Sequence, residues 1–161
     1  MALGDNTLRS AAGNSQRGRN PYMVETTLNW ATALSDKGSA LAAADVVPVI
    51  AVAKGTMILN AGIEVDTATD GSTFTVDLGT GVDPDVFVDG FDATSAAAVV
   101  AQNPAAYQPV MAVADDNIDV TIATLSGGAV TSGKFRVWAV LMDCTEMGDT
   151  AANEVARDAL A

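Results

Sequence analysis

Strict two-residue alternation, interrupted at short intervals by glycine, aspartate or proline, is the feature that most constrains this chain. Over Thr73–Leu78, Phe74, Val76 and Leu78 alternate with Thr73, Thr75 and Asp77. Over residues 117–125, Ile118, Val120 and Ile122 fall on one side, and Asp119 and Thr121 on the other. Over Lys134–Asp143, Phe135, Val137, Ala139 and Leu141 share one face. Trp138, Val140 and Met142 share the opposite face, so both sides of this segment need cover. Successive side chains of a strand point to opposite faces, and short alternating runs bounded by turn residues therefore read as half-buried strands. No long amphipathic helical pattern competes with them.

The same reading extends along the chain. Tyr22, Val24, Thr26, Leu28 and Trp30 alternate through a first strand, and residues 35–45 read as a loop or one short helical turn. Val46–Ala53 is a strand that Pro48 confines to an edge or a bulge, because proline donates no hydrogen bond. Thr56–Asn60 and Ile63–Asp66 read as two strands with a kink or bulge at Ala61-Gly62 between them, and Asp70-Gly71 as a hairpin turn before Thr73. A short strand is expected at Val86–Val88 and an alanine-rich crossover at 93–107. A second hairpin is expected around Asp115-Asp116, joining 109–114 to 117–125. About eight short strands without long helices predict an all-β fold, a single β-sandwich or jelly-roll-like domain over residues 21–144. Ahead of it, residues 1–20 read as an extended, flexible basic arm ending at Asn20-Pro21. Behind it, residues 145–161 read as a tail or short helix, with Ala151, Val155 and Ala159 at helical spacing.

Composition excludes much chemistry. The chain of 161 residues has no histidine and one cysteine, Cys144. Histidine-based acid–base, nucleophilic and metal chemistry are thereby removed, as are an internal disulfide and a thiolate zinc cluster. A net charge of −12 opposes binding to nucleic acid or to an anionic membrane. No signal segment and no membrane-spanning apolar run is read, so a soluble protein that accumulates in a cytoplasm is expected. The charge is also uneven: Arg9, Arg17 and Arg19 outweigh Asp5 in the first 20 residues, whereas residues 45–161 carry a balance of −13.

Candidate sites follow from these patterns. The aspartates at 77, 83, 85, 89 and 92 could hold calcium, but the spacing departs from a calcium loop and no glutamate closes it, so a solvated acidic loop is the preferred reading. Paired carboxylates without a sugar-stacking cleft do not make a glycosidase. Cys144 follows an apolar strand and reads as an inert thiol. Neither a cofactor nor a metal is expected, and the chain does not read as an enzyme. Trp30, Trp138, Tyr22 and Tyr107 read as core or subunit-interface anchors rather than stacking platforms. The interface candidates are therefore Tyr22, Trp138, Val140 and Met142, together with Arg9, Arg17 and Arg19, which suit an acidic partner surface.

Several stretches resemble a known group: ADVVPVIAVAKGT (44–56), AGIEV (61–65), VDLGTGVDPDVFVDG (76–90), DNIDVT (116–121) and GKFRVWAVLMD (133–143). Their order is similar to that of small structural proteins of tailed bacteriophages, above all capsid decoration (cement) proteins, over residues 20–143. The resemblance implies a compact β domain that assembles as a homo-oligomer, often a trimer. It also implies a place on the outer surface of the virion, bound to the phage major capsid protein and reinforcing the shell. It carries over no individual functional residue. The alternative within the same group is a head fibre, a tail component or a module that adheres to host glycans.

Overall fold

The structure, a computed structural model, describes residues 20–96, 98–101 and 109–144, with side chains omitted at 99–101. The expectations for the arm 1–20 (apart from Asn20), the tail 145–161 and Tyr107 lie outside these residues. In chain order the elements are β1 (Tyr22–Asn29), α1 (Trp30–Lys37), β2 (Val46–Val52), β3 (Thr56–Thr67), β4 (Thr73–Thr80), β5 (Val88–Asp92), β6 (Val99–Ala101), β7 (Val110–Met111), β8 (Asp116–Ser126) and β9 (Lys134–Asp143). They form two antiparallel sheets packed face to face. One has the order β1-β9-β3-β6, with β7 also paired to β3; the other has the order β2-β8-β4-β5. The all-β sandwich expected from the alternation is therefore the fold.

The core is built from the inward faces that the alternation marks. Phe74, Val76 and Leu78 of β4, Ile118, Val120 and Ile122 of β8, and Phe135, Val137 and Ala139 of β9 are fully buried. At one end, Trp30 meets Phe74 edge-on with ring centroids 4.9 Å apart and Phe135 at 5.4 Å. Such edge-to-face pairs contribute about 0.5–1.5 kcal/mol beyond their burial.

Five local expectations are corrected. The first strand stops at Asn29, and Trp30 opens a helix instead of continuing the alternation. Asn29 caps that helix by accepting from Ala31 N–H at 3.0 Å, and Gly38 ends it with φ 69° in the left-handed region. The expected break at Ala61-Gly62 is absent: β3 runs unbroken, and its irregularities lie between Ile58 and Asn60 and between Val65 and Thr67.

Asp70-Gly71 is not a hairpin turn, because β3 and β4 belong to different sheets. Asp70 instead reaches across to the loop before β9, accepting from Thr131 N–H at 2.8 Å, Ser132 N–H at 3.1 Å and the Thr131 hydroxyl. Likewise Asp115-Asp116 turns no hairpin. β7 pairs with β3, while β8 lies in the other sheet between β2 and β4. The short strand expected at Val86–Val88 begins at Val88 and runs to Asp92, paired with β4.

Candidate interaction surfaces

Two exposed apolar regions stand out, and the sheet register explains the first. Directly opposed residues in antiparallel strands share a face. On β9 the buried set is Phe135, Val137, Ala139 and Leu141, so Arg136, Trp138, Val140 and Met142 point away from the core. Val140 lies opposite Met23 of β1 and Asn60 of β3, Trp138 opposite Glu25 and Gly62, and Met142 opposite Met57, which in turn opposes Met111 of β7. The outer face of this sheet thus carries Met23, Met57, Met111, Trp138, Val140 and Met142. Met23 is 57% exposed, while Trp138, Val140 and Met142 are half-buried. Flexible thioethers make such a face adaptable to a partner's shape.

A charged rail borders the patch. Arg136 donates from Nε to Glu64 at 2.7 Å, pairs with the same carboxylate through Nη2, and lies 3.5 Å from Glu25. The Glu64 contact, followed by Glu25, raises the Arg136 pKa further.

Of the expected interface residues, Trp138, Val140 and Met142 do share one surface. Tyr22 does not join them. It opposes Leu141, an inward residue, and is exposed only because it sits at the start of the edge strand β1. Trp30 is a core residue with no surface role. Alternation on a single strand revealed three members of the patch. Met23, Met57 and Met111 were not legible, because they join it only through cross-strand register.

The second region is an open cleft of about 550 Å³ at one end of the sandwich. Val52, Ile58, Val110 and Ala112 line its floor, and Val82, Met111, Val113, Asp115 and Asp116 its rim. Val82 and Val113 are 85% and 76% exposed, and Met111 41%, an unusual concentration of apolar side chains in water. The surroundings are acidic. Asp116 lies against Gly81, where an added Cβ would stand 2.8 Å from its Oδ1. Asp83 is held above the usual carboxylate range by a side-chain hydrogen bond with Asp85, then by its own desolvation and the Asp85 charge. Burial, followed by the Asp116 charge, raises Asp119. Burial also raises Asp77, with Asp89 and Asp85 adding to the shift against the Gly90 N–H bond.

Among the described residues no cluster of three or more aspartate, glutamate or cysteine side chains is arranged to hold a metal ion. The acidic loop is best described as crowded carboxylates in which Asp85 raises the pKa of Asp83, and Asp89 and Asp85 add to the rise at Asp77. Cys144 is half-buried, and no helix of the described residues is long and apolar enough to cross a membrane.

No protein-family model matches this chain, and no curated protein matches it by sequence. Solved structures do. A chain of the cyanophage Pam1 capsid asymmetric unit is similar with a TM-score of 0.60 and 16% identity, over 88% of this chain and 97% of that one. A chain of the capsid of Ralstonia phage GP4 is similar with a TM-score of 0.54 and 15% identity, over 88% of this chain and 94% of that one. The fold is one found in phage capsids. At such identities the likeness concerns the arrangement of strands.

Proposed function

We propose that this protein is a structural component of a tailed-phage virion, a decoration or cement protein that binds the outer surface of the capsid and reinforces it as a homo-oligomer. The observation that carries this reading is the similarity, over nearly the whole length of both chains, to a sandwich found in the Pam1 capsid asymmetric unit. The interleaved strand orders β1-β9-β3-β6 and β2-β8-β4-β5 support reading the sandwich as a jelly roll. The outer-face patch around Trp138, Val140, Met142 and Met23 supports self-association, in a trimer, since a monomer would leave that patch in water. A strongly acidic body keeps the free protein soluble before assembly.

In this reading the basic segment 1–20 is a strap that leaves its own domain for an adjoining subunit or the shell. Arg9, Arg17 and Arg19 oppose the charge of the body, and 20 residues extend on the order of 65 Å. No enzymatic step is assigned in this reading. Co-sedimentation of the purified protein with shells stripped of it tests the function. Saturable binding at a fixed ratio to the major capsid protein is expected. Binding to host glycans with none to shells would favour an adhesion module instead.

A further inference from the structure

The geometry points to the acidic apolar cleft as the socket for segment 1–19 of a neighbouring copy, an assignment that rests on the strap reading above. The cleft asks for a particular chemistry. Its exposed apolar rim, Val82, Met111 and Val113, needs an apolar side chain to cover it. Its acidic border, Asp115 and Asp116 with Asp83 on the adjoining loop, favours cationic groups on either side of that side chain. Two segments of this chain lie outside the described residues at its ends, and only one has that chemistry. Segment 1–19 carries Leu3 and Leu8 with Arg9, Arg17 and Arg19 against a single acid, Asp5. Segment 145–161 carries Glu146, Asp149, Glu154 and Asp158 against Arg157, and the rim repels it. Repulsion outweighs proximity here. The C-terminal segment leaves beside the cleft, since Cys144 N–H donates to Gly55 and Gly55 N–H to Ala112, both at 2.8 Å.

The chain geometry allows the exchange. Tyr22, Leu141, Ile58 and Val110 form one row across the sheet, so the N-terminal segment departs at the cleft's end of the sandwich. Three strand spacings, about 15 Å, separate its departure from its own cleft. Leu8 lies far enough ahead of Asn20 to reach about 40 Å, enough for the cleft of an adjoining copy. Each copy would then give a strap and receive one, which closes into a ring without any new fold.

The test uses the full chain with Leu8→p-benzoylphenylalanine, irradiated at low ionic strength, digested and mapped by mass spectrometry. Cross-links to Val82, Met111 or Val113 in a product of twice the chain mass are expected. The exposed-site substitutions Val82→Asp and Val113→Asp should lower their yield at least fivefold while circular dichroism stays unchanged. Replacing Arg9, Arg17 and Arg19 with alanine should lower it severalfold, with a smaller loss at high salt. Cross-links confined to other surfaces, no cross-links, or a yield indifferent to both rim substitutions would overturn the assignment. Cleft cross-links found only within single chains would overturn the assignment to a neighbouring copy as well.

Discussion

Removing the Asp70 carboxylate should loosen the sandwich in a way that depends on pH. Asp70 joins the β3–β4 connection to the loop before β9 through Thr131 N–H, Ser132 N–H and the Thr131 hydroxyl, across 61 residues of sequence. That loop also holds Gly133, whose carbonyl accepts from Trp30 N–H at 3.0 Å, so the contact helps to fix the aromatic end of the core. The Thr131 hydroxyl and then the Thr131 N–H lower the Asp70 pKa to about 2. Three charge-assisted bonds would be worth several kcal/mol if buried. At an exposed site, solvent competition leaves about 1–2 kcal/mol.

For a domain of this size, Asp70→Ala should therefore lower Tm by about 3–6 °C near neutral pH. The sign of the pH dependence follows from the lowered pKa. The carboxylate contributes fully above its ordinary value near 3.8, and its contribution disappears as pH falls towards 2. Calorimetry or thermal circular dichroism of both proteins between pH 2 and pH 7 measures this. The Tm difference should shrink steadily below pH 4. A difference of equal size at pH 2 and pH 7 would refute the electrostatic part, and no difference at pH 7 would refute the stapling role altogether.

Three further outcomes are expected. Gly79→Ala should destabilise by about 1–3 kcal/mol or more and shift the loop carrying Val82, as measured by urea denaturation, because its Cβ would stand 2.2 Å from the Asp83 carbonyl oxygen and the Pro84 carbonyl carbon. Asp77→Asn should raise Tm at pH 7 but not below pH 3: the raised pKa means that the charged form costs the native state stability, while the amide oxygen can still accept the Gly90 N–H, now at 2.7 Å. Val140→Asp should weaken the proposed self-association by about 100-fold or more, as read by sedimentation velocity, because it would bury an unpaired charge in the proposed outer-face contact.

The fold was legible where a physical rule acts along a single strand. Phe74, Val76 and Leu78, and Ile118, Val120 and Ile122, are buried as their spacing requires, because one side of each strand must face the opposing sheet. Pro48 also announced a disturbed edge: β2 borders its sheet and its register slips between Pro48 and Ile50. What failed was pairing. Asp70-Gly71 and Asp115-Asp116 have hairpin chemistry, yet each connects strands of different sheets, and turn propensity does not report which sheet the next strand will join. The helix α1 was signalled by Asn29 and Gly38, but Trp30 continued the alternation and masked the cap. The outer patch was half visible for the same reason as the core, since Trp138, Val140 and Met142 lie on one strand. The cleft was not visible at all. It is assembled from the ends of β2, β3, β4 and β8 with β7 and the segment after it, and only the sandwich brings these together.

The most direct test of the virion role is a cryo-electron microscopy map of purified particles of the phage that encodes this chain, with quantitative mass spectrometry of the same preparation. Density for the two-sheet sandwich is expected on the outer capsid surface at symmetry-related positions, in a fixed ratio to the major capsid protein. Absence of the chain from purified particles, or its density confined to the tail or the capsid interior, would contradict it.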